Sequence, residues 1–387
     1  MELSVNPKST DNYFYKISQI KREMNVIVRS VLYNVDVTSL KKKKLNSIDL
    51  THKLSEYTEV QLETGVKKIN EDLFSKNDIT EYTHFKSHFI PLHVLVDILK
   101  NYNNYELIRF KYKSNTIMFN YYYMEYDYMS VLLKVIKIIS FIEYCNFVDR
   151  QIYITFAGTE HKKTLPSIQK LGSRSINSGF TVHWFNGDIH MTVFRDEESD
   201  KVMLHELVHY LKLDFAMCDN SEINRQILED VNINKNDKYV NLFEGFTDFI
   251  AIVFNSIINC IIVDGNLNNY MQLEIDYVEN QMNKVLTHSG IKDIKHLLDK
   301  GQGVILEQYT SVLSYYIFKY FLMKSSDYVL RTFFPKVQNE WTQKDILELY
   351  NHIKNGINHY KKKTNKQINK QITNNSSLSM SLINLRY

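Results

Sequence analysis

The sequence predicts an α+β chain, with a small mixed sheet and its helices first and a mainly helical part after it. Three observations carry this. Strand-like runs rich in β-branched and aromatic residues fall between residues 106 and 195, and helical spacing dominates after residue 213. Helix breakers are few, 11 Gly and 4 Pro in 387 residues, which favours helices over a Gly-rich β fold. Hydrophobic content of 44% beside 24% charged residues supplies a sizeable core. The net charge of +3 argues against a nucleic-acid binder. The first residues hold no apolar signal core. Three cysteines, Cys145, Cys218 and Cys260, are far apart and odd in number, which suits a reducing compartment and offers no metal-binding spacing. The expectation is an intracellular, cytoplasmic protein with no nucleic-acid and no membrane partner; oligomeric state is left open.

In chain order, residues 1–85 read as a helical N-terminal region, either a cover like a pro-segment or a separate module. A helix is expected over 17–35 and an amphipathic one over 54–74. The run Lys41-Lys42-Lys43-Lys44 between them reads as a solvated loop rather than a phosphate site. Residues 86–213 form the α/β part. A helix over 89–99 has Pro91 in its first turn. Strands over 106–112 and 116–122, linked by Lys113-Ser114-Asn115, read as a hairpin. The tyrosine cluster over 121–128 packs a sheet face rather than stacking on bases, since no basic groove accompanies it. An apolar helix over 129–144 carries Lys134 and Lys137 on one side, and 151–157 is a β-branched central strand. A loop region follows, in or near which His161, His183 and His190 read as structural or solvent-facing. A strand over 187–195 alternates and ends just before the next helix. Ser199 or Asp200 is its expected N-cap, and Asp196, Glu197 and Glu198 complement its dipole.

That helix holds the stretch that decides the reading, His205-Glu206-Leu207-Val208-His209. Four residues at 3.6 per turn leave the two imidazoles about 40° apart on one face. Each can give a nitrogen to one zinc ion at about 2 Å. Glu206 faces the open side and is placed to take a proton from water rather than to bind metal, the HExxH pattern. A random chain of this composition shows that pattern with probability of about 0.03, so the match needs support. Support comes 35 residues on (244 − 209), in Glu244-Gly245-Phe246-Thr247-Asp248. Glu244 and Asp248 share one helix face. Burying that pair on an apolar helix requires partners. A metal and a ligand histidine would supply them, with Glu244 binding zinc and Asp248 accepting the histidine N–H.

Together these motifs resemble the gluzincins, the thermolysin-like class with HExxH and a later ExxxD. The resemblance rests on about a tenth of the chain. It implies a zincin-like fold and a zinc-dependent metalloendopeptidase. One Zn2+ per chain would be held by His205, His209 and Glu244, with Glu206 as general base and Asp248 behind a ligand histidine. The substrate would be a peptide or protein, and the strand before the motif helix, 187–195, would edge the cleft and accept an extended peptide. Gluzincins often stabilise the oxyanion with a Tyr or His from a later helix. Tyr309 and Tyr316, seven apart on a helix over 304–323, are the candidates here, with Tyr315 and His288 behind them. The metzincin extension is not matched, because Lys212 and Phe215 stand where it needs Gly and His. The stretches Ile176-Asn177-Ser178-Gly179-Phe180-Thr181 and Leu213-Asp214-Phe215 also resemble proteins described as zinc metalloproteinases of large nucleocytoplasmic DNA viruses, which would imply the host cytoplasm or the virion.

Residues 214–360 form the helical part, with helices over 222–231, 240–263, 269–286, 292–298, 304–323 and 344–360. The apolar end of 240–263 is too short for a membrane span and holds Asn255 and Asn259, so it reads as a core helix. Residues 361–387 read as a mobile polar tail. Cys218 reads as an ordinary cysteine rather than a thiol near zinc. The rival functions are a catalytically inactive zinc-binding protein and a helical interaction protein with a chance motif.

Overall fold

β-Branched and aromatic runs pair into one mixed sheet, and the most apolar helix of the chain is buried beside it. A computed structural model of the chain describes residues 14–39, 90–100, 105–122, 128–147, 151–166, 171–183, 189–299, 305–335, 341–360 and 377–382. The readings for 41–44, 54–74 and most of 361–387 lie outside the described residues.

Helix α1 (Tyr15–Asn34) leads into β1 (Asp36–Ser39). Helix α2 (Leu92–Lys100) starts just after Pro91, whose carbonyl accepts from Val94 and Leu95. The hairpin β2 (Tyr105–Tyr112) and β3 (Asn115–Tyr122) turns through Lys113 at φ 50°. Helix α3 (Tyr128–Tyr144) then crosses over to β4 (Gln151–Thr159), parallel to β3. After a two-residue strand β5 (Leu171–Gly172) come β6 (Gly179–His183) and β7 (Ile189–Arg195). The sheet order is β1-β2-β3-β4-β7-β6, with β4 parallel to both neighbours and β6 antiparallel to β7. The central position expected for 151–157 is therefore found. The expected cleft-edging strand is corrected. β7 lies between β4 and β6, so its ladder groups are used on both sides, and β6, in a stretch read as loop, is the edge. Gly179 and the shortness of β6 hid it.

The helical part contains α4 (Ser199–Tyr210), α5 (Ser221–Asp230), α6 (Leu242–Ile262) and α7 (Leu267–His288). Residues 292–298 yield only one tight turn, Ile294–Leu297. The expected helix over 304–323 is broken. Its first part is irregular and includes β8 (Gln308–Tyr309), paired with β5. A wide π turn, Leu313–Phe318, then leads into α8 (Lys319–Lys324). Helices α9 (Ser326–Thr332) and α10 (Gln343–Asn358) follow, the latter opened by a Thr342–Asp345 capping box.

Helix α6 is largely apolar, and 94% of its apolar stretch is buried, as such a helix requires. It packs on α4, α1, α7 and the π turn. Helix α1 is part of the same core. Ile17, Ile20, Met24, Val28 and Val31 are buried against α3 and α6, so this helix packs into the same core as the sheet and the motif helix. The tail is also corrected in part, because Leu378, Ser379, Met380 and Ser381 are buried.

Candidate metal centre

Helix α4 is held from three sides before its histidines come into play. Its residues from Ser199 to Val208 are buried between β6, β7, α3 and α6. At its start, Asp200 takes Lys134 Nζ at 2.7 Å and also Lys137 Nζ, both from α3. These ammoniums outweigh the burial cost and hold the Asp200 carboxyl below the usual carboxylate range. Neither Ser199 nor Asp200 is the N-cap. Glu198 occupies that position at φ 55°, and its side chain pairs with Lys163 instead of capping.

The two histidines project one turn apart, as their spacing demands. His205 Nδ1 lies 3.0 Å from Asp248 Oδ1, and His209 Nδ1 lies 2.5 Å from Asp214 Oδ2. An ionised carboxylate only accepts, so both Nδ1 atoms carry the proton. In the neutral rings both Nε2 atoms then present lone pairs. These atoms converge, 3.2 Å apart, and Glu244 Oε2 completes the group at 3.2 Å from His205 Nε2 and 3.5 Å from His209 Nε2. With both rings neutral, three acceptors facing one another at this range repel unless a metal ion lies among them; without metal, the raised His209 pKa places a proton there instead. Tetrahedral ligands at roughly 2.05 Å from zinc stand roughly 3.3 Å apart, which the three distances match. The Lys201 and Lys319 ammoniums are both taken up by Asp248, and the Glu244 carboxylate stands at the triad. Imidazole with carboxylate is a donor set for transition-metal ions, zinc, copper, iron and nickel among them, rather than for calcium or magnesium.

Glu206 sits beside this triad. It is 5% exposed, and Thr181 Oγ1 of β6 lies 3.0 Å from both Glu206 Oε2 and its main-chain oxygen. Burial, exceeding the opposing histidine charges, pushes its carboxyl up. β6 can run this close because residue 179 is glycine. A Cβ there would stand 2.8 Å from Val202 Cγ1 and 3.1 Å from Glu206 Oε1. Gly245 plays the same part on α6, where a Cβ would meet Ser314 O at 3.0 Å. This close approach brings the π turn onto α6 and sets Tyr315 Oη 2.9 Å from Glu244 Oε2. π turns recur at functional sites because the extra residue re-aims side chains.

The tyrosine expectation is therefore corrected. Tyr316 is fully buried and donates to Leu378 O at 2.6 Å, on the far side of the turn from Glu244. Tyr309 is 48% exposed on β8 opposite Gly172 and belongs to no helix. The two would share a face only if 304–323 were one regular helix. His288 ends α7. Cys218 Sγ lies 4.0 Å from Trp341 O, and His190 stacks on Tyr153, so both have structural surroundings.

Four residues at the site escaped sequence reasoning. Asp214 follows the motif helix by one turn and also accepts from Thr247 Oγ1 at 2.8 Å. Thr181 lies on the unrecognised strand. Lys201 and Lys319 bind the two oxygens of Asp248. Lys201, one turn before His205, carried a signal that went unused: a lysine on the buried face of an apolar helix needs an anion. Comparison of the chain with family models, with curated proteins and with solved structures returned no match.

Proposed function

We propose that this chain is a zinc-dependent metalloendopeptidase of gluzincin type. The observation that carries the proposal is the convergence of His205 Nε2, His209 Nε2 and Glu244 Oε2, beside a second carboxylate, Glu206, outside the converging group. A purely structural zinc site would be closed and would have no use for that base. When bound there, zinc would polarise the scissile carbonyl and increase the acidity of water.

The remaining steps belong to the protein's own residues. Glu206 accepts the proton of the attacking water and delivers it to the leaving nitrogen. The Thr181 hydroxyl holds Oε2, which keeps the carboxylate in one rotamer for both transfers. Tyr315 Oη, 2.9 Å from the Glu244 ligand atom, is within reach of the oxyanion and donates to it. β6 ends the strand order among the described residues, and an extended peptide would add along it, beside Glu206.

The test is elemental analysis of wild type, His205→Ala, Glu244→Ala and Glu206→Gln, followed by cleavage of a peptide library. The expected result is one zinc per chain, lost in the first two variants and kept in the third. Cleavage by wild type should fall about 10²–10⁴-fold in Glu206→Gln. Wild type that takes up no zinc when it is supplied would sink the proposal, as would cleavage indifferent to Glu206→Gln.

A further inference from the structure

Residues 377–382 come from far along the chain, yet they thread into the interior beneath the metal centre. Leu378 is fully buried, and Met380 and Ser381 are 3% and 4% exposed. Half of the segment is serine, so the burial of Leu378 and Met380 in the core explains only part of its position. Polar pairing supplies the rest. Leu378 N–H donates to Lys163 O at 2.9 Å, and Leu378 O accepts from Tyr316. Met380 N–H donates to Glu198 Oε2, as does Ser381 N–H at 3.0 Å. Met380 O accepts from Lys319 Nζ at 3.1 Å, and Ser381 Oγ donates to Glu274 Oε1 at 2.8 Å.

Two of these partners belong to the foundations of the site. Glu198 immediately precedes the motif helix and adopts a left-handed backbone, which a non-glycine residue holds only when its surroundings impose it. Lys319 also bonds Asp248 Oδ2 at 2.8 Å. Lys201 pairs with Asp248 Oδ1 and lies 3.8 Å from Met380 Sδ. Met380 therefore contacts both ammoniums that hold Asp248, and Asp248 fixes the His205 ring.

We propose that residues 378–381 are a positioning element for the metal centre: docked on Glu198 and Lys319, they keep both lysines on Asp248 and thereby orient His205. The proposal rests on the metal reading of the triad. If Lys319 leaves, Asp248 Oδ2 is buried without that cation, and the carboxylate is free to turn away from His205 Nδ1. Outer partners of this kind are typically worth 10–100-fold in metal affinity. The coupling is reciprocal, so metal must also tighten the docked segment.

The experiment is amide hydrogen exchange on the full-length chain with and without zinc. Exchange at Met380 and Ser381 should slow roughly tenfold or more beyond any change in α10. In parallel, zinc affinity is measured by competition with a chromogenic chelator. Ser381→Pro, which deletes a donor to Glu198, and Lys319→Met should each weaken it roughly 10–100-fold, while Leu382→Ala, at an exposed side chain, should not. A merely structural role would lower the melting temperature of the metal-free chain and leave affinity unchanged. Zinc binding with no added protection at Met380 and Ser381 overturns the proposal, and so do folded variants with wild-type affinity. If the variants do not fold, the exchange result on wild type decides. Wild type that takes up no zinc overturns the metal reading itself, and this inference with it.

Discussion

Asp214 shows what one side chain does at this site. Burial lowers the His209 pKa, but the Asp214 and Glu244 carboxylates outweigh it and hold the ring well above its ordinary value. In the metal-free chain, His209 is thus an imidazolium over a wider pH range, and zinc must expel that proton. Zinc affinity should therefore rise with pH until the raised pKa is passed. Asp214→Asn lowers that pKa, so the rise should level off at lower pH. It should also reach a plateau about 10–100-fold weaker, because the fixed tautomer is lost. Isothermal titration in buffers of different protonation enthalpy reads both effects. Gly179→Ala is the second test at this scale. Its Cβ would overlap Val202 Cγ1 and crowd Glu206 Oε1, so β6 or the carboxylate must shift. Misplacing a general base by about 1 Å can cost about 10²-fold. The expected outcome is full zinc content with kcat reduced on that order, read by metal analysis beside a cleavage assay.

At the scale of elements, the π turn decides which tyrosine meets Glu244. Tyr315 and Tyr316 are adjacent in sequence and face opposite directions, one to Glu244 and one to Leu378 O. Tyr315→Phe should keep zinc and lose about 10²–10³-fold in kcat, as removal of an oxyanion donor does. Tyr316→Phe should keep kcat and lose about 1–3 kcal/mol of stability, because a buried carbonyl is left unpaired. Kinetics beside chemical denaturation separates the two. The reverse result would return the oxyanion role to Tyr316. The elements legible in the sequence were those with strong local periodicity: α1, α2, the β2–β3 hairpin, α3, β4, β7, α4, α5, α6, α7 and α10. Those missed include β1, β5, β6, α9 and the break before the π turn. β6 is a short edge strand that begins with a glycine, and the break lies in a run whose tyrosines and leucines keep apolar spacing without helical winding.

For the whole molecule, the N-terminal helix and the penultimate segment prove to be parts of one core. Met24 of α1 is fully buried in the cluster that includes α6. Met24→Ala should cost about 2–5 kcal/mol of the stability of the entire chain. Denaturation followed by far-ultraviolet and near-ultraviolet signals should give coincident transitions displaced together. An N-terminal transition separate from the rest would show α1 to be an independent module.

The sequence by itself determined the pairs that a single helix can present: His205 with His209, and Glu244 with Asp248. Their geometry is local, since a four-residue step on one α-helix fixes the shared face whatever surrounds it. It also determined the α+β class, through periodicity and the scarcity of Gly and Pro. Only the tertiary structure decided that the two helix faces meet with their donors 3.2–3.5 Å apart. It alone placed β6 at the edge beside Glu206, chose Tyr315 over Tyr316, and brought Lys201, Lys319 and Met380 to Asp248. Those choices depend on close approaches between distant segments, at Gly179, at Gly245 and along residues 377–382. No pattern of spacing along the chain records such approaches.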